Sequence, residues 1–98
     1  MEKLDQGHVV YSIAGRDKGL VYLVWATDAD FVYLVDGRKR KPESPKRKRM
    51  KHVKSLGVLE TKDLEHILAG RQDGSAASRI RRKLIAFRML QSQEYEEL

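Results

Sequence analysis

Three short apolar segments, separated by turns that contain glycine or aspartate, constrain the possible folds of this chain most strongly. They are residues 8–14, 20–26 and 31–35, and all are rich in β-branched and aromatic side chains. Such segments favour strands, whereas the Asp36-Gly37 pair is a strong signal for a two-residue hairpin turn. We therefore predict that residues 38–41 return as a strand and that residues 46–53 form another. Several short strands within about fifty residues indicate a small β-barrel.

The C-terminal part of the chain has a helical pattern instead. We predict a short helix from Thr61 to Gly70 and a longer one from Ser75 to about Tyr95. In the longer helix, one apolar face contains Ala76, Ala77, Ile80, Leu84, Phe87 and Leu90. Residues 20–26 and 31–35 are apolar at both strand parities, so we expect these strands to be covered on both sides, and the C-terminal helices are candidates for that cover. The predicted fold is mainly β with C-terminal α: a barrel of about five strands in residues 1–57, and two helices in residues 58–98 packed on it within a single domain.

The positive charge of the chain is concentrated in one segment. The formal net charge is +6, but residues 36–54 contain ten Lys or Arg and only two acids. A local charge of this density attracts polyanions, of which nucleic acid is the commonest. An ordinary solvated face usually has interspersed acids, and acidic lipid surfaces or acidic protein tails are weaker alternatives. The candidate nucleic-acid-binding residues of this segment are Arg38, Lys39, Arg40, Lys41, Lys46, Arg47, Lys48, Arg49, Lys51 and His52.

The turn between the first two apolar segments is a second candidate site. Gly15 and Gly19 allow a close approach of the backbone to a ligand and leave N–H groups exposed, while Arg16 and Lys18 add cations. This combination suits a phosphate. The alternative is a plain charged turn that uses glycine only for its backbone dihedrals.

Aromatic side chains accompany the predicted strands. An exposed aromatic ring can stack on an unpaired base, but at strand parity most such rings belong to the core. We expect a core position for most of the set, which comprises Tyr11, Tyr22, Trp25, Phe31 and Tyr33.

Several functional classes receive no support from the sequence. The chain has no cysteine, and His8, His52 and His66 lack ligand spacing, so we predict no metal site, no disulfide and no cofactor. No nucleophile–base arrangement or phosphate-binding loop of nucleotide hydrolases is present, so we predict that the protein is not an enzyme. The longest apolar run, residues 20–26, is too short to cross a bilayer, and the N-terminal residues lack a signal-peptide pattern. A cytoplasmic protein without membrane attachment is expected.

Residues 7–19, the apolar strands after them and residues 35–38 together resemble a KOW motif. Continued through residues 45–53, the sequence is similar to the KOW-domain ribosomal proteins of the archaeal and eukaryotic large subunit and to their short bacterial relatives. The resemblance implies a barrel like that of Src-homology-three domains and binding to structured RNA, above all ribosomal RNA. It also implies that Gly19 is the central glycine of the motif, that the loop around Arg16 and Lys18 faces RNA with the basic segment, and that ribosomal proteins are possible neighbours.

The sequence thus predicts an RNA-binding protein that is ribosomal or ribosome-associated and contacts mainly phosphates. The chain lacks the long basic extensions of many ribosomal proteins, so other roles stay open. The alternative is an accessory module of a transcription or translation factor, in which the barrel binds a protein and the basic segment only steers association.

Overall fold

Five antiparallel strands form one sheet, and two helices follow it. The computed structural model describes the backbone of residues 3–96 and the side chains of residues 3–91. The strands are β1 (His8–Ser12), β2 (Val21–Asp28), β3 (Phe31–Val35), β4 (Lys46–Arg49) and β5 (Val53–Val58), and the helices are α1 (Thr61–Ala69) and α2 (Ala76–Glu96). The order across the sheet is β4-β3-β2-β1-β5, so β4 and β5 lie at its edges. The prediction of a β-rich fold with C-terminal helices is confirmed.

The central strands are buried on both faces, as the double-parity apolar pattern predicted. One cluster contains Val10, Val24, Val32 and Leu34 with Met50 packed against it. The other cluster joins Val9, Leu23 and Val35 to the helices through Ile67, Ile80 and Leu84. The two clusters lie on opposite sides because neighbouring residues of a strand, such as Val9 and Val10, point to opposite faces. Together they give β2 and β3 an apolar environment on each side.

Two irregularities in the strand pairing bend the sheet. The register of β2 with β3 shifts between Val24 and Ala26, and the register of β1 with β5 shifts between Val9 and Val10. A bulge of this kind increases the local twist and bends its strand. At the β2 bulge, Trp25 packs against the cluster under the helices.

Helix α2 buries a shorter face than the sequence predicted. Ala76, Ile80 and Leu84 are buried, but Leu90 is 63% exposed, so the prediction for Leu90 is wrong. In this part of the helix, Phe87 and Gln91 make the contacts with β5, at Gly57 and at the Leu56 carbonyl, and Leu90 faces solvent. Neither helix within residues 3–96 is long and apolar enough to cross a membrane.

The basic residues 38–41 do not form a strand, so that prediction is wrong. The Asp36 carboxylate accepts hydrogen bonds from the backbone N–H groups of Arg38 (2.8 Å) and Arg40 (3.0 Å). These bonds hold the segment in a tight loop, because a side-chain acceptor competes with strand pairing for the same donors. The strand that pairs with β3 is β4. The predicted strand over residues 46–53 ends at Arg49, where a turn of 3-10 helix, Met50–His52, leads into β5.

Candidate nucleic-acid interface

The loop from Gly15 to Gly19 folds back on the strands that it joins. Both glycines have positive φ, +85° and +90°, which is unfavourable for other residues. The N–H of Gly19 donates to the carbonyl of Ser12 at 2.8 Å, and the N–H of Lys18 donates to the carbonyl of Gly15 at 3.2 Å. The expectation that the loop leaves its backbone donors for a phosphate is therefore wrong at Lys18 and Gly19. The side chains of Arg16 and Lys18 are exposed, as predicted.

Asp17, between these two cations, points into the protein and is only 6% exposed. Its carboxylate accepts hydrogen bonds from the hydroxyls of Ser12 (2.8 Å) and Tyr22 (3.2 Å). It also accepts one from the Lys48 ammonium at 2.9 Å and forms an ion pair with Lys46 at 3.0 Å. Asp17 thus connects the β1–β2 loop to the edge strand β4, about thirty residues further along the chain.

The charge of Asp17 is stabilised by these partners. Burial alone would raise the pKa of the Asp17 carboxyl, but the hydrogen bonds from Lys48, Ser12 and Lys46 outweigh burial and hold the pKa well below its usual range. For Tyr22, burial and the neighbouring Asp17 carboxylate raise the pKa to about 12. Both shifts favour an ionised aspartate and a neutral tyrosine at physiological pH.

The strand β4 divides its four cations between two faces. Lys46 and Lys48 point towards Asp17, and the ammonium of Lys48 also donates to the carbonyl of Ala14 at 2.9 Å. Arg47 and Arg49 alternate with them and are exposed. The predicted RNA-binding residues of this segment therefore fall into two groups. The lysines have partners within the protein, whereas the arginines face solvent.

The exposed arginines lie on an aromatic ring. The guanidinium carbon of Arg47 is 3.6 Å from the centroid of the Phe31 ring, and that of Arg49 is 5.0 Å from it. Phe31 pairs with Arg49 across the β3–β4 ladder, and Tyr33 pairs with Arg47. Of the five aromatic residues, Tyr22 is buried in a cluster and Trp25 packs against one, whereas the other three are half-buried and belong to neither. The expectation of a core position for most of the set is therefore wrong, and Phe31 is one of the exceptions.

The loop with the other basic group lies against α2. Arg38, Lys39, Arg40 and Lys41 are all exposed. Gly37 has a φ of +79°, and a Cβ atom at that position would lie 2.2 Å from the carbonyl oxygen of Ala77 and 3.0 Å from the Cβ of Arg81. This contact brings the exposed Arg81 of α2 beside the basic loop. Sequence reasoning missed Arg81, because no pattern in the sequence shows that α2 packs against a loop so far away along the chain.

The remaining predicted residues follow β4. Lys51 is exposed, and His52 is half-buried with its carbonyl accepting the N–H of Ile13 at 2.9 Å. A groove of about 650 Å³ opens nearby, with Leu4, Met50 and Val53 as an apolar floor. Its cations are Arg49, Lys51 and Lys54, against a single acid, Asp30, among the described lining residues. The positive surface thus continues from β4 to the start of β5.

Sequence reasoning missed the roles of Asp17 and Phe31. Asp17 looks like one charge among several in a polar turn, and Phe31 looks like any aromatic residue of a strand. The signal for Asp17 lies in the alternation of Lys46 and Lys48, which share one strand parity and need a counter-charge on that face.

Within the described part of the chain, no three His, Asp or Glu residues form a group that could hold a metal ion.

No protein-family model matches the sequence, and no curated protein is significantly similar to it. The candidate interface therefore rests on the geometry and charge of the chain itself.

Proposed function

We propose that this protein binds structured RNA along the edge of the sheet formed by β4, mainly through phosphate contacts. The observation that carries the proposal is the connection made by Asp17, which holds the loop with Arg16 and Lys18 against a strand that presents Arg47 and Arg49. Two basic segments that are distant in sequence thereby border one edge. The acid that joins them is paired with the ammonium groups of Lys46 and Lys48, so its charge is offset within the protein and does not repel a polyanion at the surface.

The chemistry of the exposed groups suits RNA. Arginine binds phosphate through two parallel N–H donors, whereas lysine acts as a point charge. The loop Arg38–Lys41 and Arg81 extend the same positive surface onto the helical side of the sheet. We assign Lys46 and Lys48 to holding β4 in place, since their ammonium groups already have protein partners. The resemblance to KOW-domain proteins also favours RNA binding. It further implies that the sheet closes into a barrel like that of Src-homology-three domains and that the ligand is ribosomal RNA.

Affinity for RNA is expected to fall steeply with salt. If about five phosphates are neutralised, log K should decrease with log[salt] at a slope of about −4, between the coefficients for single strands and duplexes. A fluorescence-anisotropy titration of a folded hairpin RNA at several salt concentrations measures the slope. Binding that is absent, or that does not change with salt, contradicts the proposal.

Charge reversal is expected to show that the loop and the strand bind one RNA together. The double variants Arg16→Glu/Lys18→Glu and Arg40→Glu/Arg47→Glu should each weaken binding to a similar degree and make the salt slope shallower by about 2. Arg71→Glu is the control, because Arg71 is exposed in the connection between the helices. Circular dichroism checks that all variants fold. Full affinity in the folded Arg16/Lys18 variant would remove the loop from the interface.

A protein partner is the second candidate. Its support is the exposure of Ile85, Met89 and Leu90 on α2, where large apolar side chains would gain from being covered. Purification of the chain from cells decides between the two functions. Nucleic acid that copurifies and is removed by ribonuclease favours RNA binding, and cosedimentation with large ribosomal subunits would identify a ribosomal role. A stoichiometric protein that survives ribonuclease favours the accessory module.

A further inference from the structure

The half-buried part of the helix-bearing face of β3 and β4 combines aromatic rings with guanidinium groups. In β3, Val32 and Leu34 are buried in the core, whereas the alternating residues Phe31 and Tyr33 are half-buried on the other face. Their partners in the ladder are Arg49 and Arg47. Val35, of the same parity, is buried under the helices, so Phe31 and Tyr33 lie on the helix-bearing face, where their partial exposure shows that its cover is incomplete.

The guanidinium of Arg47 lies flat against an aromatic side chain of the protein itself. Its carbon atom lies 3.6 Å from the centroid of the Phe31 ring, a distance typical of stacking on an aromatic face. A planar guanidinium has two faces, and only one of them can lie on the ring. The Arg47 side chain stays exposed although the ring covers one of these faces.

The opposite face of β4 fixes the position of this stack. Lys46 and Lys48, on either side of Arg47 in sequence, are anchored to the buried Asp17. The strand that carries Arg47 therefore cannot turn without breaking these contacts. Because the guanidinium is already held in position, it loses little further conformational entropy when a second flat group stacks on it.

We propose that Arg47, supported by Phe31, is a stacking platform for an unpaired nucleobase of the bound RNA. This inference rests on the proposed RNA binding and adds which part of the RNA meets β4. A base stacked on the free face of Arg47 completes a stack of ring, guanidinium and base, while neighbouring phosphates meet Arg49 and the basic loop. The bases of a duplex already stack on one another, so the occupant is a nucleotide in a loop, a bulge or a single-stranded end.

The test uses two substitutions that keep the charge and remove the guanidinium plane. Arg47→Lys removes the platform, and Arg88→Lys is the matched control, at an exposed position of α2 next to Phe87, which contacts the opposite edge strand β5. Both are measured on the full chain with two probes of similar length: a hairpin RNA with a fluorescent adenine analogue in its unpaired loop, and a fully paired RNA duplex. Phe31→Leu, which keeps an apolar side chain but loses the aromatic face, is the second variant.

The platform predicts a specific pattern. Wild-type protein should change the fluorescence of the adenine analogue on binding, and Arg47→Lys should abolish that change and weaken hairpin binding about fivefold or more. Phe31→Leu should act in the same direction. Duplex binding should change less than twofold in all variants, and Arg88→Lys should behave as wild type with both probes.

Two results overturn the inference, and they differ from each other. If wild-type protein binds both RNAs with a steep salt dependence but Arg47→Lys weakens both equally, or leaves the fluorescence change intact, the stacking platform is wrong and RNA binding stands. If wild-type protein binds neither RNA, the proposed function fails and the platform fails with it.

Discussion

Replacing Asp17 with asparagine is expected to destabilise the fold by about 2–4 kcal/mol, because it leaves Lys46 and Lys48 without their counter-charge beside the loop. Lys48 is only 10% exposed and cannot recover full hydration, whereas Lys46, at 27%, recovers part of it. The amide also cannot accept all the hydrogen bonds that the carboxylate takes from Ser12 and Tyr22. Urea unfolding followed by circular dichroism measures the change.

A control and a pH series make this prediction specific. Asp30→Asn, in the exposed β2–β3 turn, should change stability by less than about 0.5 kcal/mol. The folded-state pKa of Asp17 lies below its unfolded value of 3.8. Its stabilising contribution is therefore fully present above that value and is lost as the pH falls below about 4. The stability difference between wild type and Asp17→Asn should shrink over that acid range. A constant difference would show that the charge of Asp17 is not what matters.

The substitution Gly37→Ala is expected to destabilise the fold by about 3 kcal/mol or more, well beyond the cost of positive φ alone. That cost is about 1 kcal/mol, and overpacking adds about 1–3 kcal/mol when the neighbours cannot move. The new Cβ would lie 2.2 Å from the Ala77 carbonyl oxygen and 2.8 Å from the Arg81 nitrogen. Both are backbone atoms of α2, so the loop or the helix must shift.

Gly19→Ala provides the matched control for this prediction. Gly19 has a similar φ, +90°, but a Cβ there would meet nothing within 4 Å. Its expected cost is therefore the dihedral strain alone, about 1 kcal/mol. The difference between the two variants in urea unfolding isolates the contact of the loop with α2. Equal losses of stability would mean that this contact does not constrain the loop.

Local patterns in the sequence were enough to predict most of the elements. The β-branched segments marked β1, β2 and β3, and the double-parity burial of β2 and β3 followed from their uninterrupted apolar residues. The helical spacing of Ile80 and Leu84 identified the buried face of α2. The Asp36-Gly37 pair marked the point where the chain turns after β3, and Gly37 has a positive φ there. These features depend on the dihedral preferences and hydrophobicity of neighbouring residues, which the sequence expresses directly.

The candidate interface was only partly predictable. The cations of the basic segment were visible as a local excess of charge, and the exposure of Arg16, Lys18, Arg40 and Arg47 agrees with expectation. The strand expected at residues 38–41 was wrong because the Asp36 side chain takes the donors that a strand would need. A hairpin signal predicts the turn at Gly37, but it does not show where the next strand begins.

By itself the sequence determined most of the strands and helices, most of their apolar faces and where the positive charge is concentrated. Only the tertiary structure decided which of those charges are used inside the protein. Asp17 meets Lys48, and Phe31 meets Arg47, because antiparallel pairing and the folded loop bring together residues that are far apart in the chain. A charge has no preferred distant partner until the hydrophobic core fixes the register of the strands. The division of β4 into an anchored lysine face and an exposed arginine face is therefore a property of the fold.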